Sequence, residues 1–290
     1  MFGIGFPVCG KTRKTHKTLT EKEYMLKNID IVLVRPQQSG NVGGVARTIS
    51  NHGFQDFILV DPPHLDIEQV RWMAPHAKDI VNKAYYTSTV QQAVEHTHIV
   101  YGTTARKRGW DIPHLELADF LKQVHQQIQK NPQIKIALLF GPEDSGLSNT
   151  DLSFCQYTVE LPTAKNASLN LSQAVNVFGS HLLHYFRQHN SIEESQKQNS
   201  PKNSRKPISQ KIYHSITERS LMILDASDYL QAKNRLQIRH QLLRFLSQAQ
   251  GSEHDVSILS GMINKVYHKL RISGILRPPK KDQVPNNKSS

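Results

Sequence analysis

Five short and almost uninterrupted apolar runs between residues 28 and 190 limit what this chain can become. They are IDIVLVR (29–35), FILVD (57–61), HIVYGTT (98–104), IKIALLFG (134–141) and YTVEL (157–161), each bounded by Gly, Pro or polar residues. Runs this apolar place side chains on both faces of a strand, so they suit a sheet that is covered on both sides. The stretches between them carry helical spacing instead. Residues 39–53, SGNVGGVARTISNHG, put Val42, Val45, Ala46 and Ile49 on one stripe and supply Gly53 as a stop. Residues 168–187 put Leu171, Val175, Phe178, Leu182 and Phe186 on another, after a capping-type Ser168. Alternating strands and helices predict the α/β class with a mostly parallel sheet.

The remainder of the chain reads differently. Residues 191–207 are polar and almost free of apolar side chains, which predicts a linker. Beyond it lie two helical stripes: Ile238, Leu242, Phe245, Leu246 and Ala249, then Leu259, Met262, Ile263, Val266 and Leu270. The predicted organisation is an N-terminal extension (1–27), an α/β domain (28–190), the linker (191–207), a small helical domain (208–276) and a disordered tail (277–290). Arg235 and Arg239 fall off the first helical stripe, and Lys265, Lys269 and Arg271 accompany the second, as a solvated or RNA-facing surface would require.

Net charge is +12 with a pI near 9.6. The extension, linker and tail hold +9 of it, a distribution that favours a polyanionic partner such as nucleic acid. No apolar run approaches the roughly 20 residues that span a bilayer. Cys9 and Cys155 form no metal-type pair, and no signal-peptide core precedes the N-terminal lysines, so a cytoplasmic chain is expected. His181 and His184 lack further ligands of the right kind, and no metal is expected.

Residues 5–12, GFPVCGKT, match the pattern of a phosphate-binding P-loop. Such a loop works when a buried strand delivers it to a helix N-terminus. Only Met1–Ile4 precede Gly5, and the residues after Thr12 have no apolar helical face, so a P-loop NTPase is a remote alternative.

Three other loops stand where open α/β folds gather ligands, after the C-terminal ends of predicted strands. The first opens the helix at residue 39, with Gly40, Gly43 and Gly44 close together and Arg47 off the apolar stripe. Three glycines at a helix opening cost stability, so close approach by a packed element or by substrate is implied. The second, FGPEDSGLS (140–148), sets Glu143 and Asp144 between Gly141 and Gly146; the third, NASLNLSQAV (166–175), sets Ser168 and Asn170 at a helix start. Taken singly, each suits an ordinary turn or cap.

Together, NVGGVAR (41–47), FGPEDSGL (140–147) and SLN (168–170) resemble the three motifs of the SPOUT superfamily of RNA methyltransferases, in the same order. IVLVRPQQSGNVGGVART, YGTTAR and the helical extension are similar to the bacterial TrmJ type, tRNA ribose 2′-O-methyltransferases, over roughly residues 28–275. The N-terminal extension departs from that pattern.

The resemblance implies a mostly parallel sheet with a C-terminal trefoil knot, followed by a small helical C-terminal domain. It implies S-adenosylmethionine bound by Thr103, Thr104, Ala105, Gly141, Leu161, Ser168, Leu169 and Asn170, and a homodimer that sets Arg47 of one chain beside the other's cofactor. Arg47 is the implied catalytic residue, assisted by Asn41, Glu143, Ser168 and Asn170. The implied substrate is the ribose of cytidine or uridine at position 32 of the tRNA anticodon loop, with Arg106, Lys107 and Arg108 as candidate backbone contacts. Ribosomal or another RNA is the alternative substrate; a cofactor-less RNA-binding protein on the same fold is disfavoured by the retention of Arg47, Glu143 and SLN.

Overall fold

The computed structural model describes residues 26–54, 56–104, 112–163, 169–193, 207–230, 234–248 and 253–276. The GKT-bearing extension before Leu26, Ala105 to Arg108, Ser168, most of the expected linker and the expected tail lie outside the described residues.

In chain order the elements are β1 (Ile29–Val34), α1 (Ser39–His52), β2 (Phe57–Val60), α2 (Ile67–Met73), α3 (Lys78–Asn82), β3 (Tyr85–Thr87), α4 (Val90–Val94), β4 (Ile99–Thr103) and β5 (His114–Leu115). There follow α5 (Leu117–Lys130), β6 (Ile136–Phe140), α6 (Asn149–Leu152), β7 (Tyr157–Val159), α7 (Leu171–Glu193), α8 (Gln210–Ala226), α9 (Arg235–Gln248) and α10 (Glu253–Ile272). Each of the five apolar runs contains a strand. The two strands that sequence reading misses, β3 and β5, have only three and two residues and no fully buried side chain.

The strands form one sheet in the order β3-β2-β1-β6-β4-β7-β5, and every pairing is parallel. Side chains alternate between its faces with period two. Ile29, Ile31 and Leu33 of β1 join the core beneath α1, α5 and α7, which includes Val175, Phe178, Leu182 and Phe186. Val32 and Val34 face the opposite way, toward Val90 and Val94 of α4 and Leu147, Leu152 and Cys155. Helix α1 ends as the sequence requires: Gly53 is left-handed (φ 80°), and its N–H caps Ile49 O.

The helices after residue 207 pack around a separate cluster of Ile208, Tyr213, Ile216, Leu243, Leu246 and Val256, joined by Leu259 and Ile263. Here the first predicted stripe is met only in part: Leu246 is buried, Ile238 and Leu242 are half-buried, and Ala249 lies outside the described residues. Phe245 is 69% exposed, whereas Leu243 and Leu246 turn inward with Arg239 and His240. On α10, Val256, Leu259 and Ile263 face the cluster, while Met262 and Val266 are exposed. Helix α9 carries two buried polar side chains on its packed face, so a count of apolar residues alone misplaces that face.

Arg239 therefore does not belong to a solvated face. Its Nε donates to Glu218 Oε1 (2.8 Å), its Nη1 donates to Ser153 O and Oγ (3.1 and 3.0 Å), and its guanidinium lies 4.3 Å from the Phe154 ring centre. His240 Nε2 donates to Cys155 O (3.0 Å). Gln210 adds a link to the sheet domain, donating to His98 O (2.6 Å) and exchanging amide hydrogen bonds with Gln156.

Candidate active site

Beyond the C-terminal end of β1 the chain turns to one side, toward β2 and β3, while β6 lies on the other side of β1. Open α/β sheets gather ligands outside such a switch point. The loop Arg35–Gln38 and the connection Gly141–Ser148 meet there.

They are joined by Glu143. Its carboxylate accepts the N–H of Gln37 (2.9 Å), the N–H of Gln38 (3.2 Å) and the side-chain amide of Asn41 (2.7 Å). Asn41 in turn accepts from the Asn170 amide (2.8 Å), and Asn170 Oδ1 accepts from the N–H and hydroxyl of Ser172 at the start of α7 (2.9 and 2.8 Å). One continuous path of hydrogen bonds thus connects the three motif loops. Two backbone N–H groups and one side-chain amide occupy three of the roughly four acceptor sites of the Glu143 carboxylate, so its chief task is to hold the two loops together. Next to it, a hydrogen bond from the Gln37 side chain, together with the Ser145 hydroxyl (2.9 Å), holds the Asp144 carboxyl below the usual range.

The glycines separate into two uses. A Cβ on Gly43 would lie 2.6 Å from Met73 Cβ and Val70 O, and one on Gly44 would lie 2.9 Å from Ser172 Cβ, so these two let α2 and α7 close onto α1. A Cβ on Gly40 would meet no atom of another element within 4 Å. Packing therefore explains two of the three glycines of the helix opening, and Gly40 has open space above it. A Cβ on Gly141 would meet the Gly146 and Leu147 backbone at 2.2 Å, because this loop folds back on itself with Gly146 at φ 67°.

Behind the loops is a cleft of about 250 Å³. Thr103, Thr104, Gly141, Leu161 and Leu169, all expected from the sequence, line it, and so do Glu143 and Asp144. Leu147, Leu171 and Phe178 give it an apolar side. Thr103 Oγ donates to Leu139 O (2.8 Å), and Thr104 N–H donates to Val159 O (3.0 Å), which ties the β4 end to its neighbours. Asn170 sits beside the cleft, linked through Asn41.

Arg47 stands apart. It is exposed on α1, one turn beyond Gly43 and Gly44, does not line the cleft and makes no hydrogen bond or ion pair with a described residue. His181 and His184 are exposed on α7, and among the described residues no group of three potential metal ligands occurs. No described helix is long and apolar enough to cross a membrane.

Sequence reading missed the backbone donors Gln37 and Gln38, the Ser172 contact and an ion pair between Arg35 and Asp151. Of these residues only Asp151 left a signal, since Ser148-x-x-Asp151 has capping-box spacing, and that box is formed.

A family model described as "SpoU rRNA Methylase family" matches residues 28–180. The tRNA (cytidine/uridine-2′-O-)-methyltransferase TrmJ of Sodalis glossinidius (strain morsitans) is 29% identical over 252 residues, covering 84% of this chain and 93% of that protein. The tRNA (cytidine/uridine/adenosine-2′-O-)-methyltransferase TrmJ of Pseudomonas aeruginosa (strain UCBPP-PA14) is 34% identical over 154 residues, 53% of this chain and 59% of that protein. Among solved structures, TrmJ from Z. mobilis ZM4 superposes with a TM-score of 0.66 at 26% identity, covering 82% of this chain and 98% of that one. The motif loops lie within the matched segment, and the chain belongs to the SpoU rRNA methylase family.

Proposed function

We propose that this protein is an S-adenosylmethionine-dependent methyltransferase that modifies the ribose 2′-hydroxyl of tRNA, at the pyrimidine in position 32 of the anticodon loop. A cytoplasmic homodimer and a trefoil knot around the cofactor loops are part of the same reading. The observation that carries it is the hydrogen-bonded path from Glu143 through Asn41 to Asn170 beside the cleft, in a chain whose near full-length relatives are named as tRNA 2′-O-methyltransferases.

The lining suits the cofactor. Leu147, Leu161, Leu169 and Leu171 offer apolar surface to an adenine, and the Thr103–Thr104 strand end offers polar groups to a ribose. Bound there, S-adenosylmethionine supplies an electrophilic sulfonium methyl group. The protein's task is to hold the ribose oxygen in line with it and to favour the alkoxide.

Arg47 is the residue for the second task. A guanidinium stays protonated in a protein, so it stabilises the developing negative charge and the adjoining phosphate rather than acting as a base. Its exposure and its absence from the lining of its own chain's cleft favour action at the cleft of a second copy. Asn41, Glu143 and Asn170 hold the start of α1, and with it Arg47, against the cofactor loops. Open space at Gly40 suits approach by the RNA backbone.

Ribosomal RNA is the second reading, favoured by the family's description. Incubating the protein and labelled S-adenosylmethionine with tRNA or with ribosomal RNA, then digesting to nucleosides, separates the two. A labelled 2′-O-methylpyrimidine from tRNA is expected. Label confined to ribosomal RNA, or carried on a base, overturns the proposal.

A further inference from the structure

Arg35 leaves β1 with a left-handed backbone (φ 48°), unusual for a residue with a side chain. Its N–H is fixed by Val60 O (2.8 Å), and its guanidinium reaches Asp151 with two hydrogen bonds, Nη1 to Oδ1 (3.2 Å) and Nη2 to Oδ2 (2.5 Å). Asp151 is 3% exposed. It also accepts from the Ser148 N–H and hydroxyl (2.8 and 2.7 Å) at the N-cap of α6. At the other end of α6, Ser153 is gripped by Arg239 of α9.

The consequence follows from chain order. Residues 141–152 are one connection, and the loop 35–38 touches it at both ends: at Glu143 through the Gln37 and Gln38 amides, and at Asp151 through Arg35. Asp144 to Leu147, between those two points, line the cleft. A single contact would let the loops pivot; two fix the start of α1 relative to the cleft wall.

We infer that Arg35 and Asp151 are positioning residues for methyl transfer, setting the origin of α1, and so Asn41 and Arg47, against the cofactor cleft. The methyl-transfer part of this rests on the function proposed above; the clamp itself does not. Stabilisation of α6 would by itself need neither a two-pronged Arg nor a left-handed residue, since Ser148 and Asp151 already complete the capping box. The two-pronged geometry requires a planar fork that Lys lacks.

The test uses Arg35→Ala and Arg35→Lys in the full chain. Arg35→Ala leaves the buried Asp151 carboxylate without its cation, so a thermal melt first identifies folded protein; Arg35→Lys, which keeps the charge, is the probe where Arg35→Ala does not fold. Amide hydrogen exchange at Gln37 and Gln38 reads the clamp whether or not any RNA is methylated; exchange faster by about tenfold in Arg35→Ala is expected, and an unchanged rate overturns the inference. With methyl transfer observed in the wild type, kcat should fall at least about tenfold in Arg35→Ala and recover only partly in Arg35→Lys, with KM for S-adenosylmethionine unchanged. A kcat equal to wild type in a folded Arg35→Ala protein also overturns it. A wild-type protein that methylates nothing refutes the proposed function and leaves the exchange result to decide the clamp.

Discussion

The loops at the carboxyl edge of the sheet and the helices after residue 207 are held by the same kinds of group in opposite settings. At the edge, Glu143, Asn41 and Asn170 exchange hydrogen bonds between loops beside an open cleft, with Asn41 buried and Asn170 exposed, and these bonds set the loops' relative geometry. In the helices, Arg239, His240 and Gln210 are turned inward and fastened to backbone of the sheet domain. Removing such a group leaves buried partners unpaired. Polar side chains in the first region thus set positions, and those in the second hold two parts of the molecule together.

Substitutions can break that contrast. The largest effect on activity belongs to Arg47→Ala. If Arg47 stabilises a developing alkoxide, methyl transfer drops by about 10²–10³-fold. The melting temperature stays put, because the side chain is exposed and makes no hydrogen bond or ion pair with a described residue; methyl-transfer rates and thermal melts on the same preparation check both halves. Arg239→Ala shows the reverse. It leaves the buried Ser153 carbonyl and hydroxyl without their donor and destabilises the protein by about 3 kcal/mol, measurable by denaturant unfolding, while affinity for S-adenosylmethionine is kept.

The smallest effect comes from His214 on α8, whose two ring nitrogens have no hydrogen-bond partner among the described residues and whose pKa burial, helped by the neighbouring Arg239 charge, pushes down to about 3. The unfolded chain takes up a proton near pH 6.5 and the folded chain does not. Stability is therefore full above pH 6.5 and declines as pH falls toward 3, by an amount on the order of 1–2 kcal/mol at pH 5. Thermal melts from pH 7.5 to 5 should show this slope in the wild type and a shallower one in His214→Leu.

The same contrast explains what could be read from the sequence. Strands buried on both faces announce themselves as apolar runs, and α1 and α7 bury the apolar stripes that their spacing implies. The three glycine and polar loops were legible because their residue types stand in a recurring order. Nothing in the sequence says that Glu143 spends its oxygens on the Gln37 and Gln38 amides, since backbone donors have no letter code. Helix α9 was misread for the opposite reason: its inward face contains Arg239 and His240, whose burial depends on Ser153, Cys155 and Glu218 far away in the chain. Arg35 carried no signal at all, because a left-handed backbone at a non-glycine residue is set by tertiary contacts.

The central claim is that the interlocked loops shape a cleft for S-adenosylmethionine, and Gly141 is the point at which to test it. Any Cβ there collides with the Gly146 and Leu147 backbone, so Gly141→Ala must reshape the loop while leaving the sheet behind it intact. Titration calorimetry of S-adenosylmethionine into the wild type and this variant is the direct measurement. The account predicts saturable binding by the wild type and affinity weaker by at least about tenfold in Gly141→Ala. No binding by the wild type, or equal affinity in a folded variant, would contradict it.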